Sequence, residues 1–83
     1  MAEKEIGKVS TYFNHVNVAA IKLSGALKIG DRVHIKGHTT DFEQLVDSMQ
    51  INRKEVKEAK KGAEIGIKVN DRVRPNDTVF LVE

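Results

Sequence analysis

The feature that most constrains the fold is a short run in which apolar and basic residues alternate directly after a turn signal. In Arg32–Lys36 the apolar residues Val33 and Ile35 alternate with three basic or basic-capable ones. A period of two places the apolar side chains on one face of a strand and the basic ones on the other. Gly30-Asp31 precedes the run and supplies a chain reversal, because glycine tolerates positive φ and aspartate can bond its own backbone. We therefore expect a half-buried β-strand with a basic outer side.

Other runs have the same β character, with β-branched residues and short polar turns between them. Further strands are predicted at 6–13, Val18–Leu23, 65–69 and Thr78–Val82. In the second of these, Ala19, Ile21 and Leu23 are expected to face inward and Lys22 outward. Residues 14–17 form the predicted turn between the first two strands, which are close enough to make a hairpin.

Two segments are harder to interpret from the sequence. Residues 41–51 are predicted as one strand with a β-bulge, in which polar Gln44 lies between Phe42 and Val46, and a helix over 41–49 is the alternative. Residues 52–61 are predicted as an irregular excursion that ends in a turn, because ten residues form only a marginal helix. Leu27 and Ile29 are expected to plug one end of the sheet.

Six or seven short strands separated by turns predict an all-β protein, a small barrel or sandwich. The 83 residues suffice for one core, so a single domain is expected over 6–83. Residues 1–5 are expected to be a flexible N-terminus. The chain has no cysteine, and no apolar run approaches the roughly 20 residues of a membrane span. A monomeric cytoplasmic protein with no membrane partner is therefore expected.

Motifs that carry catalytic or ligand chemistry fall short of their requirements. The spacing of two glycines over 25–30 matches a phosphate loop, but Asp31-Arg32 follows where Lys and then Ser or Thr are needed. His34 and His38 are four residues apart, but a metal site needs three or four well-placed ligands. We therefore predict no catalytic residue, no metal site, no cofactor and no enzymatic activity.

The remaining constellation is a set of basic side chains on expected outer faces or in neighbouring loops. Its members are Lys22, Arg32, His34, Lys36, Arg53, Lys54, Lys57, Lys68, Arg72 and Arg74. If their strands are neighbours, these residues would form one surface that tracks the phosphates of a nucleic acid. An ordinary charged solvent face is the alternative, because acidic residues are interspersed and the formal net charge is only +2.

Several stretches resemble the second domain of translational elongation factors such as elongation factor Tu. The resemblance is carried by Gly7-Lys8-Val9, by residues 27–37, by residues 61–67 and by residues 73–79. It extends to small stand-alone elongation-factor-like proteins and to the barrel at the C-terminal end of collagenase-like peptidases. In these, residues 39–42 and 48–51 are similar too.

The resemblance implies a closed, six-stranded, antiparallel-rich β-barrel of the translation-factor type. In the elongation factors this barrel contacts the acceptor end of aminoacyl-tRNA and ribosomal RNA. The expected function is therefore a non-catalytic binding module for tRNA or ribosomal RNA, in translation. The alternative is a protein-interaction module that docks in trans on a collagenase-like peptidase or another enzyme. Expected protein partners are accordingly a peptidase or a translation factor.

Overall fold

The structure is a computed structural model and describes residues 3–82. Within this range the regular elements are all β-strands. The strands are β1 (Glu3–Phe13), β2 (Val18–Leu23), β3 (Leu27–Lys28), β4 (Arg32–Lys36), β5 (Asp41–Leu45), β6 (Met49–Ile51), β7 (Lys54–Glu55), β8 (Glu58–Ala59), β9 (Glu64–Lys68) and β10 (Thr78–Val82). A helix that could cross a membrane does not occur in the described part of the chain. The all-β prediction is confirmed.

Eight of the strands form one antiparallel sheet in the order β5-β4-β10-β1-β2-β9-β6-β7, and β3 pairs with β8 in a second sheet. The strands at the two ends of this order, β5 and β7, do not pair with each other. The predicted closed six-stranded barrel is therefore not what the chain forms. The sheet is open, and the segment predicted as an irregular excursion contributes short strands of its own.

The period-two alternation that predicted the central strands is confirmed in β2, β4 and β9. In β4, Val33 and Ile35 are buried whereas Arg32 and Lys36 are exposed. The core also takes apolar residues from β1, β3, β6, β8 and β10 and from the loops between strands. It consists of Ile6, Val9, Ala19, Ile21, Leu23, Leu27, Val33, Ile35, Val46, Met49, Ala59, Ile65, Ile67, Val69, Val73 and Val79. Burial of this apolar surface is the main force that stabilises the sheet.

Strand β1 is longer than its alternation predicted, because it begins at Glu3 rather than at residue 6. Two irregularities interrupt its pairing, one against β10 between Glu5 and Gly7 and one against β2 between Val9 and Thr11. Each shifts the inward phase by one residue. Of the predicted flexible segment 1–5, residues 1 and 2 lie outside the described residues. The division of the chain at residue 6 stays a prediction.

Residues 41–51 form two strands, so the prediction of one bulged strand is wrong, and so is the alternative helix. Strand β5 pairs with β4, whereas β6 pairs with β9 and β7. Between them the backbone of Val46 bonds to Gly30 and Asp31, with N···O distances of 2.8 Å in both directions. The chain therefore leaves one end of the sheet and joins the other within three residues.

The turn before β4 forms as predicted. Gly30 has a φ of 94°, and the Asp31 carboxylate accepts a hydrogen bond from the Lys28 amide at 3.1 Å. Leu27 is buried as expected, but the prediction for Ile29 is wrong because its side chain is 37% exposed. Leu27 lies in β3, opposite the buried Ala59 of β8.

Candidate functional site

The basic side chains of β4 lie on the outer face of the sheet, and acidic side chains from the adjacent strand stand beside them. Arg32 approaches Glu43 of β5 with an N···O distance of 4.0 Å. Lys36 lies directly opposite Asp41 in the pairing of β4 with β5. Cross-strand pairs of opposite charge stabilise a sheet modestly, and they also offset the positive field. The outer face is consequently mixed in charge rather than uniformly basic.

His34, at the centre of β4, joins three strands through its imidazole ring. Its Nδ1 lies 2.9 Å from Glu3 Oε2 of β1, and its Nε2 bonds to Asp41 Oδ1 of β5. The ring also packs against Phe80 of β10, with centroids 6.1 Å apart. Both nitrogens have carboxylate acceptors, so the geometry favours the imidazolium form, in which both nitrogens are donors.

The pKa values of this cluster follow from the same contacts. The hydrogen bond to Asp41 raises the pKa of His34 above its ordinary value of 6.5, and the hydrogen bond to Glu3 adds to the effect. The hydrogen bond from His34 lowers the pKa of Asp41 below 3.8. The cluster therefore connects β1, β4 and β5 through hydrogen bonds between His34 and two carboxylates. Within residues 3–82, no serine or threonine hydroxyl bonds to His34.

The predicted basic set is distributed over several strands and loops. Lys22 in β2 and Lys68 in β9 lie on the outer face, but five strands separate β4 from β7 in the sheet order. Arg53, Lys54 and Lys57 lie in or beside β7, at the opposite edge from β5. The basic residues of β4 therefore lie beside acidic neighbours, and those around β7 lie at the other end of the strand order. That these side chains form a binding surface stays a prediction.

Arg72 and Arg74 lie in the segment between β9 and β10, and this segment borders the beginning of β5. Together with Thr40, Asp41 and Phe42, they line a groove of about 410 Å³. His38 does not complete a metal site with His34, and within residues 3–82 no group of three or more ligating side chains could hold a metal ion. The groove is the place where two basic side chains of this segment lie beside the beginning of β5.

Gln44 is a structural residue that the sequence analysis left without a partner. Its side chain is 5% exposed and points inward from β5. The amide Nε2 donates to the Lys68 carbonyl oxygen at 2.8 Å, and Oε1 accepts from the Asn70 N–H at 2.7 Å. The sequence pattern that could have indicated this role is a polar residue between two apolar residues that face inward. The Gln44 side chain thus connects β5 to the end of β9. In a closed sheet, backbone hydrogen bonds between two strands would make this connection.

Comparison with known proteins finds sequence similarity to segments of peptidases. No protein-family model matches the chain. An uncharacterized protease of Methanocaldococcus jannaschii is 49% identical over 80 residues, which is 95% of this chain and 20% of that protein. A collagenase of Porphyromonas gingivalis is 38% identical over 77 residues, which is 90% of this chain and 21% of the collagenase.

The fold is also present in a solved structure. The C-terminal domain of a Geobacillus thermoleovorans protein assigned as a U32 peptidase superposes with a TM-score of 0.90 at 18% identity. The match covers 96% of this chain and 93% of that domain. At this identity the match shows a shared fold.

These findings correct the expectation of an elongation-factor domain. The similar proteins are peptidases, so the predicted kinship with translation factors is wrong, and the assignment to protein biosynthesis and RNA binding is corrected with it. The comparisons favour the alternative, in which the chain relates to a peptidase. The chain spans about a fifth of the length of the relatives it matches. It is therefore similar to one defined segment of these peptidases, with the fold of a U32 peptidase C-terminal domain.

Proposed function

We propose that the chain is a non-catalytic module that docks on the main body of a peptidase. The observation that carries the proposal is the extent of the sequence match. Similarity to the Methanocaldococcus jannaschii protease covers 95% of this chain but only 20% of that protein. A segment that makes up a fifth of a larger protein has the size of an accessory domain. Its fold alone assigns it no chemistry of its own.

The arrangement of side chains supports a non-catalytic role. The imidazole of His34 is held on both sides by carboxylates, so it is not poised to activate a hydroxyl. The carboxylates of Glu3 and Asp41 bond to different ring nitrogens and so do not converge on one point. The groove beside β5 is lined by charged side chains and lacks the apolar enclosure typical of substrate sites.

The mixed charge of the outer face supports a protein partner. Protein interfaces use interspersed charges for register and specificity, whereas phosphate binding uses concentrated positive charge. Arg32 and Lys36 both lie opposite or near acidic side chains of β5. A monomeric, cytoplasmic module, as expected from the sequence, is part of this proposal.

A domain replacement tests the proposal. In the Methanocaldococcus jannaschii protease, the 80-residue segment similar to this chain is replaced by the chain itself. If the module docks, calorimetry of the chimera shows one unfolding transition that differs from that of the free chain. Two independent transitions, one of them at the temperature of the free chain, would refute docking. The matched control joins the chain to an unrelated enzyme through a glycine-serine linker and is expected to unfold in two steps.

A further inference from the structure

Both ends of the described chain lie at the same end of the main sheet. Strand β1 begins at Glu3, and this residue lies directly opposite Val82, the last residue of β10. In the Methanocaldococcus jannaschii protease the matching segment makes up 20% of the protein, so the rest of that protein is joined to the segment at one or both of its ends. With this fold, either connection leaves the module beside Glu3 and Val82. A peptidase body joined to the module is therefore tethered at this end of the sheet.

A groove of about 470 Å³ lies at this same end. We call it the terminal groove, and its walls are the end of β10 and the two-stranded sheet of β3 and β8. Its apolar lining consists of the exposed Ala26 together with Leu27, Ala59, Leu81 and Val82. Val82 thus lines the groove and also pairs with the first residue of β1. The terminal groove therefore adjoins the point at which a peptidase body is attached.

The partial exposure of Leu81 shows that the core is incompletely covered at the terminal groove. Leu81 lies directly opposite Val33 in the pairing of β10 with β4, and it shares the inner face of β10 with Val79. Val33 and Val79 are both 0% exposed, whereas Leu81 packs against the core but is only partly buried. An inward-facing side chain that keeps part of its apolar surface in water gains from contact with an apolar side chain of a partner.

The charges around the terminal groove balance one another. Two basic and two acidic side chains contribute to its lining, Lys28, Lys60, Asp31 and Glu58. Lys28 lies directly opposite Glu58 in the pairing of β3 with β8, and the Asp31 carboxylate accepts a hydrogen bond from the Lys28 amide at 3.1 Å. A groove with an apolar lining and a balanced polar rim has the composition of a protein interface, in which the centre is apolar. It complements an apolar side chain rather than a charged one.

We propose that the terminal groove is the surface that docks on the peptidase body, and that it receives an apolar side chain of the body from near the junction. This side chain contacts Ala26, Leu81 and Val82, and the polar rim surrounds the contact. Because the body and the module are joined beside the groove, the effective concentration of the side chain is on the order of millimolar, so a small contact suffices. This proposal rests on the proposed docking function and names the surface that performs it.

Filling the terminal groove tests the proposal in the chimera described above. Ala26 is exposed and lines the groove, so Ala26→Trp occupies the space without removing a core side chain. Ser24→Trp, at an exposed position outside the groove, is the matched control. The chimera with Ala26→Trp is expected to unfold in two transitions, whereas the chimera with Ser24→Trp keeps one. Circular dichroism of each free variant verifies that it folds.

The outcomes separate the groove from the docking function. If the unsubstituted chimera unfolds in one step and the two tryptophan variants behave alike, the groove proposal is wrong and the docking function stands. If the unsubstituted chimera unfolds in two steps, both are wrong.

Hydrogen exchange locates the docked surface independently. Relative to the free chain, the amides of residues 26–28 and 58–60 are expected to exchange at least about tenfold more slowly in the chimera, because docking protects the lining of the groove. The exposed apolar residues Phe13, Val16 and Leu45 mark the alternative surfaces. Protection around any of these, with none at the terminal groove, would overturn the proposal.

Salt dependence tests the apolar character of the contact. The balanced rim predicts that the single transition of the chimera persists in about 1 M NaCl, where the Debye length is about 3 Å and ionic contacts at the surface are screened. Separation into two transitions at this salt concentration would show that docking is ionic and would overturn the assignment of an apolar side chain.

A second copy of the chain is the other occupant to be tested. Sedimentation equilibrium of the free chain is expected to show a monomer, both with and without Ala26→Trp. A dimer that Ala26→Trp dissociates would assign the terminal groove to a second copy and would overturn the proposal.

Discussion

The two edges of the main sheet are built in different ways. At the β7 edge, β6 and β7 are joined by a two-residue turn in which Asn52 and Arg53 have φ angles of 53° and 66°. At the β5 edge, the strand is anchored from a distance, because the Gln44 side chain bonds to backbone atoms of Lys68 and Asn70. One edge therefore depends on local turn conformation and the other on hydrogen bonds between residues more than twenty positions apart. Substitutions should affect the two edges in correspondingly different ways.

Removal of the distant anchor is expected to have the largest effect. Gln44→Ala leaves the Lys68 carbonyl and the Asn70 amide without their partner and opens a small cavity. The expected loss is about 2–4 kcal/mol in the free energy of unfolding, measured by urea denaturation. Gln50→Ala, at an exposed position of β6 near the other edge, is the control and should change stability by less than about 0.5 kcal/mol. Similar losses in both variants would mean that β5 is not anchored by its side chain.

The hairpin between β4 and β5 is expected to be the next most sensitive position. A Cβ on Gly37 would lie 1.9 Å from Asp77 Oδ1, so Gly37→Ala displaces a carboxylate whose Oδ2 accepts from the Arg74 amide at 2.8 Å. The expected cost is about 1–3 kcal/mol of unfolding free energy. At Gly66 the nearest atom to a new Cβ is 3.4 Å away, so Gly66→Ala should be neutral or slightly stabilising. A neutral result for Gly37→Ala in urea denaturation would contradict this close approach.

The local turn at the β7 edge should respond in the opposite direction. Arg53 adopts a φ of 66°, which is unfavourable for a residue with a Cβ. Arg53→Gly relieves this strain and is expected to stabilise the chain by about 0.5–1 kcal/mol, since Asn followed by Gly is preferred in two-residue hairpins. Thermal unfolding should show a higher midpoint. Lys54→Gly, one residue later in the strand, is the control and should lower the midpoint. If Arg53→Gly lowered it as well, the turn would not be strained.

The pH dependence of the β5 edge is expected to be the smallest effect, because Asp41 is exposed to solvent. The pKa of His34 is raised above 6.5, so its contribution is complete below pH 6.5 and is lost as the pH rises through the folded-state pKa. The pKa of Asp41 is lowered below 3.8, so its contribution is present above pH 3.8 and is lost as the pH falls through the folded-state pKa. Stability from this cluster should therefore be greatest between these two values.

His34→Gln should flatten the neutral-to-alkaline part of this profile, as followed by urea denaturation at a series of pH values. Arg53→Gly, at the other edge, serves as the control and should shift the whole curve upward without changing its shape. A profile that keeps its full slope above pH 6.5 in His34→Gln would show that another group is responsible.

The strands that could be predicted from the sequence are those whose burial is decided by their own residues. In β2 and β4 the residues predicted to face inward are the buried ones, and in β9 every second residue is buried with the same period of two. In β1 a register shift against β2 after Val9 changes which residues face inward, so a single period of two does not describe this strand. Register depends on the partner strand, which local alternation does not specify.

The candidate site could be predicted less well, because it combines residues that are distant in the sequence. The basic face of β4 was correctly located, but its acidic neighbours were not, since they come from β1 and β5. The groove between β5 and the segment with Arg72 and Arg74 was not anticipated as a unit. The hydrogen bonds of the inward-facing Gln44 side chain were not anticipated either, because their formation depends on where β9 ends.

By itself, the sequence determined that this chain forms short strands, which side of the central strands is buried, and where the main turns occur. These properties follow from the period of side-chain alternation and from turn residues, both of which act within a few positions. Only the tertiary structure decided that the sheet stays open between β5 and β7 and that an amide side chain bridges part of the gap. The physical reason is that closure depends on how strands of different length and register meet across the core, which no local stretch specifies.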